Sequence, residues 1–392
     1  MSGAFGRTVA GFMIVAGTST AHAAEWAYTP QGGAGVEYVH NPQLVPSSAS
    51  SYAASTGDAN ATLSADIAKH GDGLDLTIDP GLFFSRFLDH SLFDHNDQLL
   101  NMAGDYKTEK ITWSAIANGA RDTTLTSEAG VTGLTNSNGR HEGLTLSAGP
   151  TVQLTERLSF SAQGGWQANH YVHAAQNGLI DYRYTTGDLR GIYALTERTQ
   201  ASLDASVAEL STAQLSDKPI TYAVVGNLTT QLDEKWTATL AAGPSFVQSA
   251  TGNENGVNYE ADLQRHGELL TLTAKASRSV TPTGRGVLTR YDQILLNAAR
   301  PLTERLTMNL SGQFSRNRDL AENPLLQSSA FTVNYYSLQG NLQWKFAMNW
   351  GLSFSAQGQH QSVGSSTAPG SNGNSYRFGL GIVWNGNPRR LM

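Results

Sequence analysis

Two short segments of the chain collect side chains that could bind a metal ion or take part in catalysis. Residues 89–97 read Asp-His-Ser-Leu-Phe-Asp-His-Asn-Asp, and residues 169–173 read Asn-His-Tyr-Val-His. Carboxylate and imidazole groups at this density can hold a divalent cation, but the spacing of the first segment matches no recognised binding loop. The second segment lacks a Ser or carboxylate at a spacing suited to catalysis. We predict no catalytic, cofactor-binding or metal-binding residue and no enzymatic activity, and a cation at 89–97 stays an open alternative.

A larger group of polar residues alternates with apolar ones, and its members are predicted to face water. An Arg or Lys that faces lipid at the bilayer midplane costs about 2–4 kcal/mol, so such side chains are expected on a wet inner wall. The residues predicted to line this lumen are Lys275, Lys345, Arg190, Arg377, Asp204, Gln313 and Gln343. Further charges at or beside predicted inward positions are Asp75, Asp79, Arg183, Arg300 and Arg316.

The mixture of these polar residues bears on what the lumen would pass. Both signs of charge occur, which argues against a strongly ion-selective phosphate pore. Neutral Gln, Asn, Ser and Tyr residues between the charges could hydrogen-bond sugar hydroxyls, or they could form no more than a solvated wall. The sequence favours neither of these two interpretations.

A recurring phrase marks the elements that position these residues. Leu-Thr-Glu-Arg occurs at 154–157, 195–198 and 302–305, and Leu-Asp-Glu-Lys occurs at 232–235. The copies are spaced by 41 residues (155 to 196), 37 residues (196 to 233) and 70 residues (233 to 303). Apolar and polar residues alternate strictly on both sides of each copy, as in strands with one apolar face. One period therefore corresponds to two strands, a tight turn and a longer loop.

The length of the alternating segments indicates that their apolar face meets lipid. The segments run for roughly 10 to 15 residues, whereas strands of soluble proteins average about 5 to 6. A soluble sandwich would show the same alternation and is the alternative. Tryptophan prefers the headgroup region, and four tryptophans near the tight turns are predicted to form an aromatic girdle on the periplasmic side. They are Trp236, Trp344, Trp350 and Trp384.

The alternation predicts an all-β protein, a transmembrane up-and-down antiparallel β-barrel of about 16–18 strands. The predicted strands are 35–41, 59–69, 73–87, 98–108, 110–121, 142–154, 158–172, 181–195, 199–210, 220–232, 236–248, 257–264, 268–280, 291–302, 306–317, 331–346, 350–361 and 375–384. An even number of strands leaves both termini on the periplasmic side. The longer outer loops are predicted at 42–58, 123–141, 249–256 and 362–374, and the two longest are expected to narrow the lumen.

The N-terminus carries the features of an export signal. Arg7 precedes an apolar stretch from residue 9 to 17, and Ala21 and Ala23 form a small-residue cleavage site. We predict a signal peptide at 1–23, which is removed, and a single barrel domain at 24–392. Without Arg7, 25 of the 26 Lys and Arg residues remain against 32 Asp and Glu, a formal charge of −7 that does not suggest a nucleic-acid partner. The chain has no cysteine, which excludes disulfides and thiol catalysis.

The alternating strands, the repeated turns and the phrase Ser-Arg-Ser-Val-Thr-Pro-Thr-Gly-Arg-Gly at 277–286 resemble the outer-membrane β-barrel porin, type 2 family. Its members include outer-membrane proteins associated with exopolysaccharide and exosortase systems. The resemblance implies an outer-membrane channel that serves polysaccharide secretion, and it implies no catalytic residue. Barrels of this kind usually end on an aromatic residue, whereas here eight residues follow Trp384.

The predicted function is therefore passive diffusion of saccharides or exported polysaccharide through a porin in the outer membrane of a Gram-negative bacterium. The expected partners are outer-membrane lipid, the barrel-assembly machinery and polysaccharide, without nucleic acid and without cofactors. Two alternatives remain open, an accessory structural barrel of an exopolysaccharide secretion system and an outer-membrane hydrolase.

Overall fold

The computed structural model describes residues 25–44, 54–71, 73–129, 131–132, 139–174, 178–213, 218–250, 252–320, 331–365 and 371–391. The predicted signal peptide at 1–23 lies outside this range and stays a prediction. Among the described residues, no helix is long and apolar enough to cross a membrane.

Antiparallel strands make up almost all of the described chain. They are β1 Glu25–His40, β2 Ser55–Gly71, β3 Leu74–Phe87, β4 His95–Lys107, β5 Ile111–Thr123, β6 Arg140–Gln153, β7 Leu158–Tyr171, β8 Tyr182–Ala194, β9 Thr199–Thr212, β10 Ile220–Gln231, β11 Trp236–Ser249, β12 Gly252–Arg265, β13 Thr271–Pro282, β14 Leu288–Pro301, β15 Leu306–Asp319, β16 Phe331–Lys345, β17 Trp350–Ser365, β18 Ser371–Asn385 and the short β19 Arg389–Leu391. One helical turn, α1 Thr124–Ser127, follows β5, and a 3-10 turn covers Ser91–Phe93.

Each long strand pairs with the next one, and the last pairs with the first. β1 aligns with β18 from Gln31 opposite Asn385 to His40 opposite Tyr376, so the sheet closes on itself. β19 pairs with Trp26–Tyr28 and lengthens this seam. Residues after Trp384 therefore also belong to the sheet. The predicted up-and-down barrel is confirmed with eighteen long strands, the upper end of the expected range.

The repeated phrase forms turns whose second residue binds backbone N–H groups. The side-chain oxygen of Thr155 accepts from the N–H groups of Arg157 at 3.3 Å and Leu158 at 3.0 Å. Thr303 repeats this arrangement, and the carboxylate of Asp233 accepts from Lys235 and Trp236 at 2.7 and 2.8 Å. These bonds lower the pKa of Asp233. The phrase recurs because a short acceptor at this position satisfies donors that the ladder leaves open.

A cluster of buried side chains shows which face of each strand points into the barrel. Tyr171 of β7, Leu210 of β9, Val247 of β11 and Leu288 of β14 form one buried cluster. These strands are not all neighbours, so their side chains can meet only in the interior. Outward positions instead carry large exposed apolar residues such as Leu203 at 61%.

Alternation on β15 fits this assignment. Leu306, Met308, Leu310 and Phe314 share the outward face, and Ser311 and Gln313 share the inward face, as predicted from the sequence. In a closed barrel the apolar outward belt faces hydrocarbon while every backbone group remains paired. The chain is therefore an outer-membrane β-barrel.

Several strands are longer than predicted, among them β1, β2, β12, β17 and β18. β1 begins at Glu25 rather than at residue 35, because β2, β18 and β19 supply partners for the Pro- and Gly-containing half of the strand. β12 begins at Gly252 rather than at residue 257, so the long outer loop predicted at 249–256 is instead a tight hairpin with Ser249 opposite Gly252. The polar residues 253–255 have no apolar alternation, which a strand extending beyond the bilayer does not need.

Candidate functional site

The inward faces of the strands bring charged residues together in pairs across the lumen wall. Arg190 of β8 contacts Asp204 of β9 at 2.6 Å, and Arg377 of β18 lies 3.4 Å from Glu37 of β1. Both pairs include residues predicted to line the lumen. These side chains are partly exposed, so the wall offers water-accessible charges of both signs.

Lys275 and three further residues predicted to line the lumen also occupy the inward face. Lys275 of β13 forms an ion pair with Glu260 of β12 at 2.7 Å. Gln313 lies midway along β15, Gln343 is buried near the periplasmic end of β16, and Lys345 ends that strand at the periplasmic mouth. Their part in passage stays a prediction.

Further charges of the predicted inward set divide between the two faces. Asp75 of β3 is inward and contacts Lys107 and His70, each at 3.1 Å. Asp79 shares the same face of β3, two pleats from Asp75.

Three arginines predicted at or beside inward positions lie on the outward face, so the expectation that they face the lumen is wrong. Arg316 is exposed between buried Ser315 and Asn317, and Arg183 is exposed beside inward Tyr182. Arg300 is exposed opposite outward Met308. All three stand near strand ends, where an outward charge reaches headgroups and water and escapes the cost of facing hydrocarbon.

One sector of the wall contains only neutral polar side chains. It comprises the inward residues of β15, β16 and β17 below the mouth, and we call it the amide wall. Its residues are Thr307, Asn309, Ser311, Gln313, Ser337, Gln339, Asn341, Gln343, Ser353, Ser355, Gln357 and Gln359. Gln357 donates to Ser337 at 3.3 Å, and Gln359 donates to Tyr335 at 2.8 Å. Amides and hydroxyls present both donors and acceptors without net charge.

The loop after β5 crosses the lumen near its outer mouth. From this loop, Glu128 accepts a hydrogen bond from the Tyr171 hydroxyl of β7 at 2.7 Å. The carbonyl of Ala129 accepts one from Gln361 of β17 at 2.6 Å. Because β7 and β17 belong to different sides of the barrel, the described residues of this loop, 124–129 and 131–132, reach across the interior. The sequence predicted such narrowing for one of the two longest loops.

The tip of the β13–β14 hairpin fills the mouth from another side. Residues 283–289 are all buried, and the carbonyl of Gly284 accepts from the N–H of Ile180 at 2.7 Å. Arg285 donates to the carbonyl of Thr132 at 2.6 Å and contacts Asp319 at 3.4 Å. We call the described residues of 124–132 and 283–289 the mouth plug.

The tip of the β13–β14 hairpin requires glycine at position 286, where the backbone has a positive φ and Ile180 packs closely. Gly286 has a φ of 70°, and a Cβ there would lie 3.1 Å from Ile180. The sequence had singled out this phrase only as a resemblance to porins. Its glycines were the available signal for an inward fold, but their spacing does not say which wall they pack against.

Charged groups inside the mouth plug sit in an unusual environment. Burial raises the pKa of the Glu128 carboxyl above its ordinary value of 4.5, although the Tyr171 hydrogen bond opposes this shift. Burial lowers the pKa of Arg285, against the attraction of Asp319 and Glu128. Below them, His141 lies between Asp122 and Asn169, each at 2.8 Å. The plug therefore contains ionisable groups whose packing depends on their charge.

In the segments 89–97 and 169–173, the side chains with metal-ligating or catalytic groups form hydrogen bonds that hold the outer loops in place. Asp94 accepts from the N–H of Phe87 at 2.7 Å, and His95 contacts the carbonyl of Phe93 at 2.8 Å. His170 contacts Asp181 at 2.7 Å. Over the described part of the chain, no three His, Cys, Asp or Glu residues form a group able to hold a metal ion.

The four predicted girdle tryptophans lie at the periplasmic ends of their strands. Trp350 and Trp384 face each other at 6.5 Å between ring centroids, and Trp344 is 6.1 Å from Phe346. Arg265 lies over the ring of Trp236 at 5.8 Å. Their role as a membrane girdle stays a prediction.

Comparison with known proteins adds the following findings. No model of a protein family and no curated protein matches the chain, so the resemblance to the type 2 porins stays a prediction. Among solved structures, OpdO of Pseudomonas aeruginosa is similar at 10% identity and a TM-score of 0.44, covering 93% of this chain and 98% of its own. OccK2 (OpdF) of the same organism, in complex with glucuronate, gives the same values. The FrpB iron transporter of Neisseria meningitidis has 8% identity and a TM-score of 0.43, covering 92% and 81%.

Proposed function

We propose that this barrel is a passive outer-membrane channel for small neutral saccharides. The observation that carries the proposal is the amide wall, a set of twelve inward residues of β15, β16 and β17 that are all uncharged and lie between Tyr335 and Lys345 of β16. Sugar hydroxyls exchange hydrogen bonds with water for equivalent bonds with amides and hydroxyls, so a sugar can move along such a wall without being trapped.

The mouth plug supports small cargo over a polymer. Its segments are tied to β7 through Tyr171, to β17 through Gln361 and to each other through Arg285. A polysaccharide would require all three links to open together. A polysaccharide, the cargo that the resemblance to the type 2 porins implies, is therefore less favoured than a small saccharide.

Liposome swelling with neutral sugars of graded length tests the proposal. Replacing the facing pair Gln339 and Gln357 by Leu removes two amides from the middle of the wall. We expect slower sugar entry in this variant, with a smaller effect on entry of salt. The control replaces both residues by Asn and keeps the amides. Equal sugar entry in the Leu and Asn variants would contradict the proposal.

An accessory structural barrel is the second candidate, and the packed mouth is the observation that favours it. A barrel of this kind would pass neither salt nor sugar. Liposomes that contain the folded protein and swell no faster than empty liposomes would support it over a channel.

A further inference from the structure

Four arginines lie on one outward patch at the outer ends of β13, β14 and β15. The register places Arg278 opposite Asp292, Arg290 opposite Arg318, and Asp292 opposite Arg316. Arg316 and Arg318 are exposed, whereas the residues between and beside them, Ser315 and Asn317, are buried. We call Arg278, Arg290, Arg316 and Arg318 the outer arginine patch.

The patch has more positive than negative charge. Arg278 donates to Asp292 at 3.0 Å, and Arg290 lies 3.9 Å from Glu254. Within the described residues, Arg316 and Arg318 form no hydrogen bond or ion pair. Like charges directly opposite each other on paired strands destabilise a sheet. Among the described residues, Glu254 is the one ion-pair partner of this pair, so the patch keeps a net positive charge that an anion from outside the chain can offset.

The position of the patch along the membrane normal indicates which anion it meets. Along the outward face of β15, apolar residues extend from Leu306 to Phe314, and the arginines follow immediately. Phe314 packs on Tyr336 of β16 with 4.9 Å between ring centroids. An aromatic pair that ends an apolar belt marks the level at which hydrocarbon gives way to headgroups. The arginines thus stand beside the headgroups of the outer leaflet.

We infer that the outer arginine patch binds the phosphate groups of a phosphorylated glycolipid in the outer leaflet. Guanidinium groups bind phosphate through paired charge-assisted hydrogen bonds. Arg316 and Arg318, which have no partner among the described residues, can hold one phosphate between them. Because the patch faces lipid and not the lumen, the phosphate belongs to a lipid headgroup rather than to a solute in the channel.

A second group of outward arginines, on β3, β5 and β6, makes contacts within the chain. Arg86 donates to the side chain of Asn96 at 2.8 Å, and Arg140 donates to its carbonyl at 3.0 Å. Arg121 is 3.1 Å from Glu142. All three have partners within the chain, whereas Arg316 and Arg318 have none among the described residues.

The test measures glycolipid retained by the full-length barrel after reconstitution in vesicles and extraction into detergent. Vesicles contain either a lipid A-type glycolipid with its phosphates or the same glycolipid after dephosphorylation. Mass spectrometry counts the molecules that remain bound to each barrel. We expect retention of the phosphorylated form only, and a loss of about tenfold or more when Arg316 and Arg318 are both replaced by Gln.

Two controls separate charge from folding and position. Replacing both residues by Lys keeps the charges and should keep most of the retention. Arg300→Gln removes an outward arginine at the periplasmic end and should change nothing. The assignment would be overturned if the double Gln variant retained as much glycolipid as the wild type. It would also be overturned if the wild type retained the dephosphorylated and phosphorylated glycolipids equally. Displacement by inorganic phosphate at the concentration of the glycolipid would overturn it too, because the patch would then be a site for free anions.

Discussion

The side-chain amide of Gln361 donates a hydrogen bond to the carbonyl of Ala129 over 2.6 Å, although 232 residues separate them in the chain. Gln361 belongs to the inward face of β17, and Ala129 follows α1 in the loop that leaves β5. This bond fixes the loop, which begins at the end of β5, to β17 on another side of the barrel. The outer mouth is therefore narrowed by a segment anchored at both of its ends.

Removing this anchor should open the mouth. Gln361→Ala leaves the Ala129 carbonyl without its partner, and loss of a buried hydrogen bond costs about 1–3 kcal/mol. We expect higher single-channel conductance with an unchanged unfolding midpoint for the strands. Gln163→Ala removes the same volume from an inward position of β7 without touching the plug or the amide wall and serves as the control. A conductance increase of the same size in the control would refute the anchoring role.

The mouth plug should open as the pH rises. Burial raises the pKa of Glu128 above 4.5, so the packed plug binds this proton more tightly than an open plug does. Packing is thus most stable below pH 4.5 and weakens as the pH rises through the raised pKa. His141, Asp122, Tyr171 and Arg285 also act on this carboxyl.

Conductance recorded across this pH range gives the measurement. Wild-type conductance should increase with pH, whereas Glu128→Gln, which stays neutral, should lose most of the dependence. A pH profile that is identical in both proteins would assign the titration to another group.

The charge of the lumen should be adjustable at the Lys275–Glu260 pair. Lys275→Glu removes one positive charge and adds a negative one beside Glu260, so the reversal potential in a salt gradient should shift toward cations. Lys345→Glu at the periplasmic mouth should act in the same direction but more weakly, because it is more exposed. The exchange Lys275→Glu with Glu260→Lys keeps the net charge and should leave the potential near that of the wild type.

The turn phrase should contribute measurably to stability. Thr155→Val removes the acceptor for two backbone N–H groups and should lower the free energy of unfolding by about 0.5–1.5 kcal/mol. Thr155→Ser retains the hydroxyl and should stay close to the wild type. Urea unfolding of the reconstituted barrel measures both, and equal stability of the Val and Ser variants would speak against a role for the hydroxyl.

The strands were accessible to sequence reasoning because lipid imposes one rule on every residue of the belt. Alternation from Leu306 to Phe314 assigned both faces of β15 correctly. Above the belt the rule ends, since water lies outside the barrel as well as inside. The side-chain period of two puts Arg316 on the face of Phe314, but the expectation that a charge faces the lumen fails where water lies on both sides of the wall. The lack of alternation at residues 253–255 likewise gave no sign that they continue β12.

The mouth plug was only partly predictable. Its longest loop was expected to narrow the lumen, but contacts such as Gln361 with Ala129 join residues far apart in sequence. Glu128 and Arg285 resemble ordinary loop charges until folding buries them. Single residues whose partners come from other strands leave no local pattern, so the sequence alone could not have named them.

Single-channel conductance of the refolded protein in a planar bilayer tests the central claim most directly. The account predicts stable conductance steps in salt solution and transient interruptions when a small neutral oligosaccharide is added. These interruptions should shorten when Gln339 and Gln357 are replaced by Leu. A folded, inserted barrel that shows no conductance steps under any of these conditions would contradict the proposal that it is a channel.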